Sequence, residues 1–101
     1  MIRVIYRWKV QPEKETEFIQ AWTQATETIR HQVLGAKGSL LLRSSEHSSE
    51  FIAIARWETL EHWQQFWQGD PPDPQAFQIM QTVSQLLSHQ VCEEIEDLTL
   101  L

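Results

Sequence analysis

The strongest constraint on the fold is a pair of consecutive segments that are apolar at successive positions rather than at alternate ones. The first is GSLLLRSSEH, residues 38–47, and the second is EFIAIARWE, residues 50–58. The polar residues 46–49 between their apolar parts have the length of a usual β-hairpin turn. A strand that is apolar on both faces is covered on both faces. The chain therefore needs a layer on each side of this hairpin.

The residues before the hairpin predict a strand and then a helix. Residues 2–10 alternate, which indicates a strand with one buried side. That side carries Ile2, Val4, Tyr6, Trp8 and Val10. Pro12 suits the first turn of a helix, and Gly35 and Gly38 suit its end. The helix between them has one apolar stripe, formed by Phe18, Trp22, Ala25, Ile29 and Val33.

The residues after the hairpin predict two helices and a last strand. Thr59 indicates the N-cap of a short helix, and Asp73-Pro74 indicates the N-cap and first turn of a second helix. The inward residues of the short helix are Leu60, Trp63, Phe66 and Trp67. The buried stripe of the second is Ala76, Phe77, Met80, Val83, Ser84 and Leu87. Residues 91–101 are then predicted to form a strand followed by an apolar tail.

This order of elements predicts a single α+β domain over residues 1–101. The arrangement is ferredoxin-like, βαββαβ, with an antiparallel sheet and helices on one face. The uncovered face is strongly apolar, and such patches usually mark interfaces. We therefore expect a symmetric homodimer that forms through the open sheet face.

Composition excludes several classes of partner. The formal net charge is −6 and the sequence has no cluster of Lys and Arg, so we expect no binding to nucleic acid or to anionic membranes. No apolar run is long enough to span a bilayer. The N-terminus already has a strand pattern, which leaves no room for a signal peptide. Because Cys92 is the only cysteine, we expect a reducing compartment, the cytoplasm.

Two stretches resemble the antibiotic biosynthesis monooxygenase-like domains. VIYRWKVQPEKETEFIQAW resembles their first strand, turn and helix, and FIAIARWETLEHWQQF resembles their third strand and the helix that follows. The resemblance implies a dimeric α+β barrel in which each protomer has a cavity between its sheet and its helices. Members include cofactor-free oxygenases of polycyclic phenols and quinols, haem-degrading oxygenases and autoinducer-handling proteins.

The same resemblance disfavours haem degradation. The haem-degrading branch has an Asn where this chain has Tyr6, and a Trp where it has Phe66. The branch's haem-binding His falls near Ala76, where no His is present. Many other members have a His at the position of Phe66. The resemblance therefore implies neither haem nor another cofactor here.

The tryptophans are the main candidates for a binding site. The spacing of Trp63 and Trp67 is typical of an ordinary core, yet these residues could also form a slot for a flat ligand. We predict that the wall of this slot comprises Trp8, Trp22, Trp63, Phe66 and Trp67, with Tyr6 beside them. Trp57, at a strand end, is expected in the core. A buried Tyr6 needs a partner for its hydroxyl, which a substrate or a backbone carbonyl could supply.

The other polar residues indicate little chemistry. The four histidines have no metal-ligand spacing, so we expect no metal site, and His62 is the one candidate for a general base. Arg7 and Arg56 could lie on the dimer-facing side and pair with carboxylates across the interface, or they could form surface ion pairs of little energy. The possible partners on the last strand are Glu93, Glu94, Glu96 and Asp97. The serines lack a catalytic triad, and there is no phosphate-binding glycine loop.

Two hypotheses follow. The first is an oxidoreductase, a cofactor-independent monooxygenase-like protein acting on a phenolic or quinol-type aromatic, with Tyr6 or His62 handling the proton. The second is a non-catalytic dimer that binds or senses a small aromatic molecule in the same slot.

Overall fold

The computed structural model describes residues 1–99 and contains one four-stranded sheet with three α-helices. Strand β1 is Ile2–Val10, and a 3-10 turn, Pro12–Lys14, leads into helix α1, Glu15–Gln32. The hairpin strands are β2, Ala36–Arg43, and β3, Glu50–Trp57. Helices α2, Leu60–Gln68, and α3, Pro74–Val83, precede strand β4, Ser84–Glu93. The α+β ferredoxin-like prediction is confirmed.

The sheet is antiparallel throughout, with the strand order β2-β3-β1-β4. Strand β1 lies in its centre, where Tyr6 pairs with Ala53 on one side and with His89 on the other. The two predicted helix caps are present. Thr59 Oγ1 accepts a hydrogen bond from the His62 amide at 3.2 Å, and Asp73 Oδ1 accepts one from the Ala76 amide at 3.2 Å.

The predicted alternation of β1 decides where the core lies. Val4, Trp8 and Val10 are buried under the helices, at no more than 9% exposure. Phe18 of α1 is fully buried, and its ring meets the rings of Trp8 and Phe51 edge to face, with centroids 5.3 and 5.4 Å apart. Each buried large aromatic contributes roughly 4–6 kcal/mol of gross hydrophobic free energy at about 25 cal/mol per Å². The core is therefore aromatic and lies on one face of the sheet.

The prediction for the last helix and strand was wrong. Helix α3 ends at Val83, so Ser84 and Leu87 belong to strand β4 and not to a helical stripe. The strand ends at Glu93 instead of beginning near Val91. Its pairing with β1 shifts register between Arg7, opposite Ser88, and Trp8, opposite Leu86. The extra residue of this bulge interrupts the period of two, which hid the strand in the sequence.

The open face of the sheet carries an ion cluster beside an apolar patch. Arg3 and Arg56 both donate to Glu94 at 3.0 Å, and Arg3 also pairs with Asp97 at 3.0 Å. These guanidinium groups hold the pKa of the Glu94 carboxyl below its usual range. Arg56 thus pairs with one of the predicted carboxylates, but within its own chain, and pairing across an interface stays a prediction. Arg7 does not pair with one of them, because its nearest carboxylate is Glu50 of β3, at 3.7 Å.

The apolar patch lies next to this cluster. Leu40 and Leu42 of β2 are 46% and 44% exposed, and they pair in register with Ile54 and Ile52 of β3. Ile5 of β1 continues the row, because it pairs with Ile54. No helix within residues 1–99 is both long enough and apolar enough to cross a membrane.

Candidate active site

A cavity of about 390 Å³ lies between the sheet and the helices. Its floor includes Tyr6 and Trp8 of β1, and its walls include Trp22 of α1 and Phe77 of α3. The space exists because small residues face each other across the two layers: Ala25 on α1, and Ala53 and Ala55 on β3. Large aromatic groups around small ones leave room that the chain itself does not fill. A concave, mostly apolar space of this size is typical of small-molecule sites.

The structure brings most of the predicted site residues together. Five of them line the cavity: Tyr6, Trp8, Trp22, Phe66 and Trp67. Trp57 lines it as well, although it is only 2% exposed and also belongs to the core. The rings of Tyr6 and Trp8 stack with centroids 5.7 Å apart, and the centroid of the tilted Trp67 ring is also 5.7 Å from that of Tyr6. The result is a continuous aromatic wall.

Trp63 lies behind this wall rather than in it. It is 6% exposed and is not among the described residues that line the cavity. Its indole stacks on Trp67 with centroids 5.6 Å apart, and its Nε1–H donates to the Tyr6 hydroxyl at 2.9 Å. The side chain thus positions two wall residues, and the partner of the Tyr6 hydroxyl is a tryptophan rather than a backbone carbonyl.

His62 lies outside the cavity. Its Nδ1 is 2.8 Å from Thr59 Oγ1, and a side chain at Gly35 would collide with its ring. The ring therefore packs against the backbone between α1 and β2, where it cannot reach a ligand in the cavity. We assign it no role in proton transfer. Because His62 and Trp63 are neighbours on the same helix, the sequence could not show which side chain points toward the cavity and which points away from it.

Tyr6 is the ionisable group of the aromatic wall. Burial raises its pKa to about 12, which outweighs the opposite effect of the Trp63 hydrogen bond. The phenol is therefore neutral at physiological pH. Its oxygen accepts from Trp63, and no residue within 1–99 accepts its own proton, so the hydroxyl can donate to a ligand. Tyr6 is accordingly a hydrogen-bond donor and not a base.

Sequence reasoning missed three polar residues at the α1–β2 side of the cavity: Thr26, Arg30 and Ser39. The cause is local, because β2 has one residue more than β3 between the pairs Ala36–Trp57 and Ser39–Ala55. This bulge contains Gly38 with φ +105°, a conformation that favours glycine. The sequence-based prediction of the site also missed His89, whose ring centroid lies 4.9 Å from that of Trp67.

The sequence comparisons identify the family. A sequence model of the antibiotic biosynthesis monooxygenase family matches residues 1–73. The chain belongs to this family. No curated protein sequence is significantly similar to it. Within residues 1–99, no group of three or more His, Cys, Asp or Glu side chains converges to hold a metal ion.

Solved structures show the same fold. SnoaB from Streptomyces nogalater, a cofactor-independent oxygenase, has a TM-score of 0.79 and 17% identity, over 97% of this chain and 96% of SnoaB. A candidate antibiotic biosynthesis monooxygenase from Deinococcus radiodurans has a TM-score of 0.77 and 16% identity, over 100% and 99% of the two chains. One from Bordetella bronchiseptica has a TM-score of 0.75 and 22% identity, over 96% and 97%. At these sequence identities the likeness shows the fold alone, because one fold can carry many different chemistries.

Proposed function

We propose that this family member is a cofactor-independent oxygenase that acts on a phenolic or quinol-type aromatic. The observation that carries the proposal is the neutral Tyr6 phenol within an aromatic cavity, with its oxygen held by Trp63 and its proton free. In this proposal a flat ring would lie against Trp8 and Trp67, with its hydroxyl oxygen toward Tyr6; all three residues line the cavity. The structure of SnoaB, a cofactor-independent oxygenase, has the same fold, and this likeness supports the proposal.

The chemistry of such a site is electrostatic. A phenol or quinol reacts with O₂ through its deprotonated form, which is the better electron donor. No carboxylate of residues 1–99 lines the cavity, while the Arg30 guanidinium does. A hydrogen bond from Tyr6 to the ligand oxygen would stabilise the developing negative charge, as donors in an oxyanion hole do. The protein would thereby lower the pKa of the ligand hydroxyl.

The reaction then uses the substrate's own electrons. The deprotonated ring transfers one electron to O₂, and superoxide recombines with the ring radical at a carbon that bears hydrogen. The ligand hydroxyl has released its proton to solvent, and the peroxide anion takes one up from solvent in turn. The hydroperoxide then loses water and leaves a carbonyl at that carbon. One oxygen atom enters the product and the other leaves as water, so a CH₂ group of the keto tautomer becomes C=O.

Replacement of Tyr6 by Phe tests the role of the hydroxyl. The variant keeps the ring and loses the donor, so we expect turnover of a naphthoquinol to fall roughly 10–100-fold, as about 1.5–3 kcal/mol of charge-assisted hydrogen bonding is lost. Binding of the ring should change little. Oxygen uptake and the dissociation constant should be measured on the same samples. Unchanged turnover would remove Tyr6 from the mechanism.

The second candidate is a binding or sensing protein with the same cavity. The observation in its favour is that no Asp, Glu, His or Lys of residues 1–99 lines the cavity, so the described lining offers no general base. A site that only holds an aromatic needs no base. Saturable binding without oxygen uptake would favour this candidate over the oxygenase.

We further propose that two copies assemble through the open face of the sheet. Leu40 and Leu42 are nearly half exposed in the protomer, and Ile52 and Ile54 lie beside them in register. Exposed apolar patches on a sheet usually mark contact sites. A symmetric dimer would cover the row from both sides, and the arginine and carboxylate cluster would lie at its edge.

A further inference from the structure

A second cavity adjoins the aromatic one on the side between α1 and β2. It has a volume of about 280 Å³. Five residues line both spaces: Trp22, Thr26, Arg30, Gly38 and Ser39. Its other lining residues are polar, namely Thr23, Glu27 and Lys37. The aromatic cavity therefore continues into a polar extension, and the boundary between them is formed by Thr26, Arg30 and Ser39.

Arg30 at this boundary lacks a carboxylate partner. The other arginines, Arg3, Arg7, Arg43 and Arg56, all have a carboxylate within 4.0 Å, whereas Arg30 has none among residues 1–99. Of the two other charged residues that line this cavity, Lys37 pairs with Glu58 at 3.8 Å, and the Glu27 carboxylate lies 3.3 Å from His31 and not within 4.0 Å of Arg30. The guanidinium is thus free to bind an anion from outside the chain.

The backbone of β2 makes room for this arginine. A Cβ at Gly38 would lie 3.9 Å from Arg30 Cδ and 4.0 Å from its Nε, so the stem of the side chain lies over the glycine of the bulge. The arginine is therefore held close to the strand at the boundary of the two cavities. Such a placement reduces the freedom of a long side chain before any ligand binds.

Ser39 supplies a second, independent observation. Its Oγ is buried and has no hydrogen-bond partner among the described residues. In register it is opposite Ala55, whose side chain is buried on the helix-covered face, so the hydroxyl lies on the cavity side of the sheet. Buried hydroxyl groups are nearly always hydrogen-bonded, because an unpaired one is costly. An acceptor atom of a ligand would satisfy it.

We propose that the natural ligand is an aromatic carboxylate, with its ring in the aromatic cavity and its carboxylate at Arg30 and Ser39. This inference rests on the proposed function, since it names the substrate class of the same cavity. A planar guanidinium matches the two oxygens of a carboxylate, and the Ser39 and Thr26 hydroxyls can donate to the same group. The cavity volume lies at the low end of the range of about 300–1,000 Å³ for ligand sites, which restricts the ring system to a few fused rings.

A matched pair of ligands tests the proposal by calorimetric titration. Hydroxynaphthoate carries the carboxylate, and hydroxynaphthamide has the same shape without the charge. We expect the carboxylate to bind at least about tenfold more tightly, as a charge-assisted hydrogen bond implies, and the preference to weaken with added salt. Arg30→Gln should abolish most of the preference, and Arg30→Lys should retain part of it. Ser39→Ala should reduce it roughly two- to fivefold.

The control is Lys14→Gln, which removes one positive charge from a residue that lines neither cavity. The preference should be unchanged in this variant. Equal affinity of the wild-type protein for the two ligands would overturn the carboxylate proposal while the aromatic site stands. If Arg30→Gln kept the full preference for hydroxynaphthoate, the carboxylate proposal would be overturned as well. If neither ligand binds, the aromatic site itself is wrong, and both proposals fail together.

Discussion

The two faces of the sheet use the same strands in different ways. On the helix-covered face, Tyr6 and Trp8 meet the aromatic residues of α1 and α2 around a cavity. On the open face, Leu40 and Leu42 remain nearly half exposed, and Arg3, Arg56 and Glu94 form an ion cluster. The chain thus covers one face with its own helices and leaves the other open. If both proposals hold, the alternation of the strands divides ligand binding from assembly, one face to each.

Leu40→Glu should have the largest effect, because it would place a carboxylate, and by symmetry its copy, in the proposed contact between protomers. Burying an unpaired charge costs several kcal/mol, so the variant should be monomeric at micromolar concentration. The measurement is the molar mass by light scattering. Leu34→Glu is the control, since Leu34 is 78% exposed and lies in no strand. A monomeric wild-type protein would refute the assembly.

Phe18→Ala should have the next largest effect, on stability. Phe18 is fully buried between Trp8 and Phe51, so truncation should reduce the free energy of unfolding by about 3–5 kcal/mol. The paired variant Leu42→Ala, on the open face, should lose less, and its loss should depend on protein concentration if the dimer forms. Urea unfolding at two concentrations measures both. Equal, concentration-independent losses would contradict the division between the faces.

The ionisation of Tyr6 should show a smaller effect. Tyr6 is the only tyrosine, so the ultraviolet absorption of tyrosinate reports its pKa directly. We expect a midpoint near pH 12 instead of 10.0, because burial disfavours the charged form. Between these values the unfolded chain has lost the proton and the folded protein has kept it. Stability therefore falls as the pH rises through this window, by about 2–3 kcal/mol in total.

Tyr6→Phe is the control for this titration. It should lack that component of the pH dependence. A midpoint near 10 in the folded protein, with its circular dichroism intact, would mean that the hydroxyl is solvated. Tyr6 would then not be the neutral donor that the proposed mechanism needs.

The fold was predictable because its signals are local and redundant. The alternation of residues 2–10, the caps at Thr59 and Asp73 and the two-sided hairpin each indicate one element, and all agree. Strand β4 was not predictable in its bounds. Its bulge opposite Arg7 and Trp8 breaks the period of two, and the preceding helix joins it without a turn residue.

The aromatic part of the site was predictable, and its polar part was not. Tyr6 and Trp8 follow from the period of β1, and Phe66 and Trp67 from the spacing of α2. Arg30 and Ser39 line the same boundary beside the bulge at Gly38, and nothing in the spacing of two residues nine positions apart indicates that arrangement. The positions of Trp63 and His62 relative to the cavity depend on the rotation of a short helix, which spacing alone does not fix.

The most direct test of the account is a titration of the protein with a naphthoquinol in air, with tryptophan fluorescence and oxygen uptake recorded together. Four of the residues that line the cavity, Trp8, Trp22, Trp57 and Trp67, are tryptophans, so a ring bound in the cavity should quench their emission. We expect the naphthoquinol to quench the tryptophan fluorescence saturably, and oxygen consumption to saturate at the same concentration. An absence of saturable quenching by any naphthoquinol or related polycyclic phenol would contradict the account and leave the tryptophans as core residues alone.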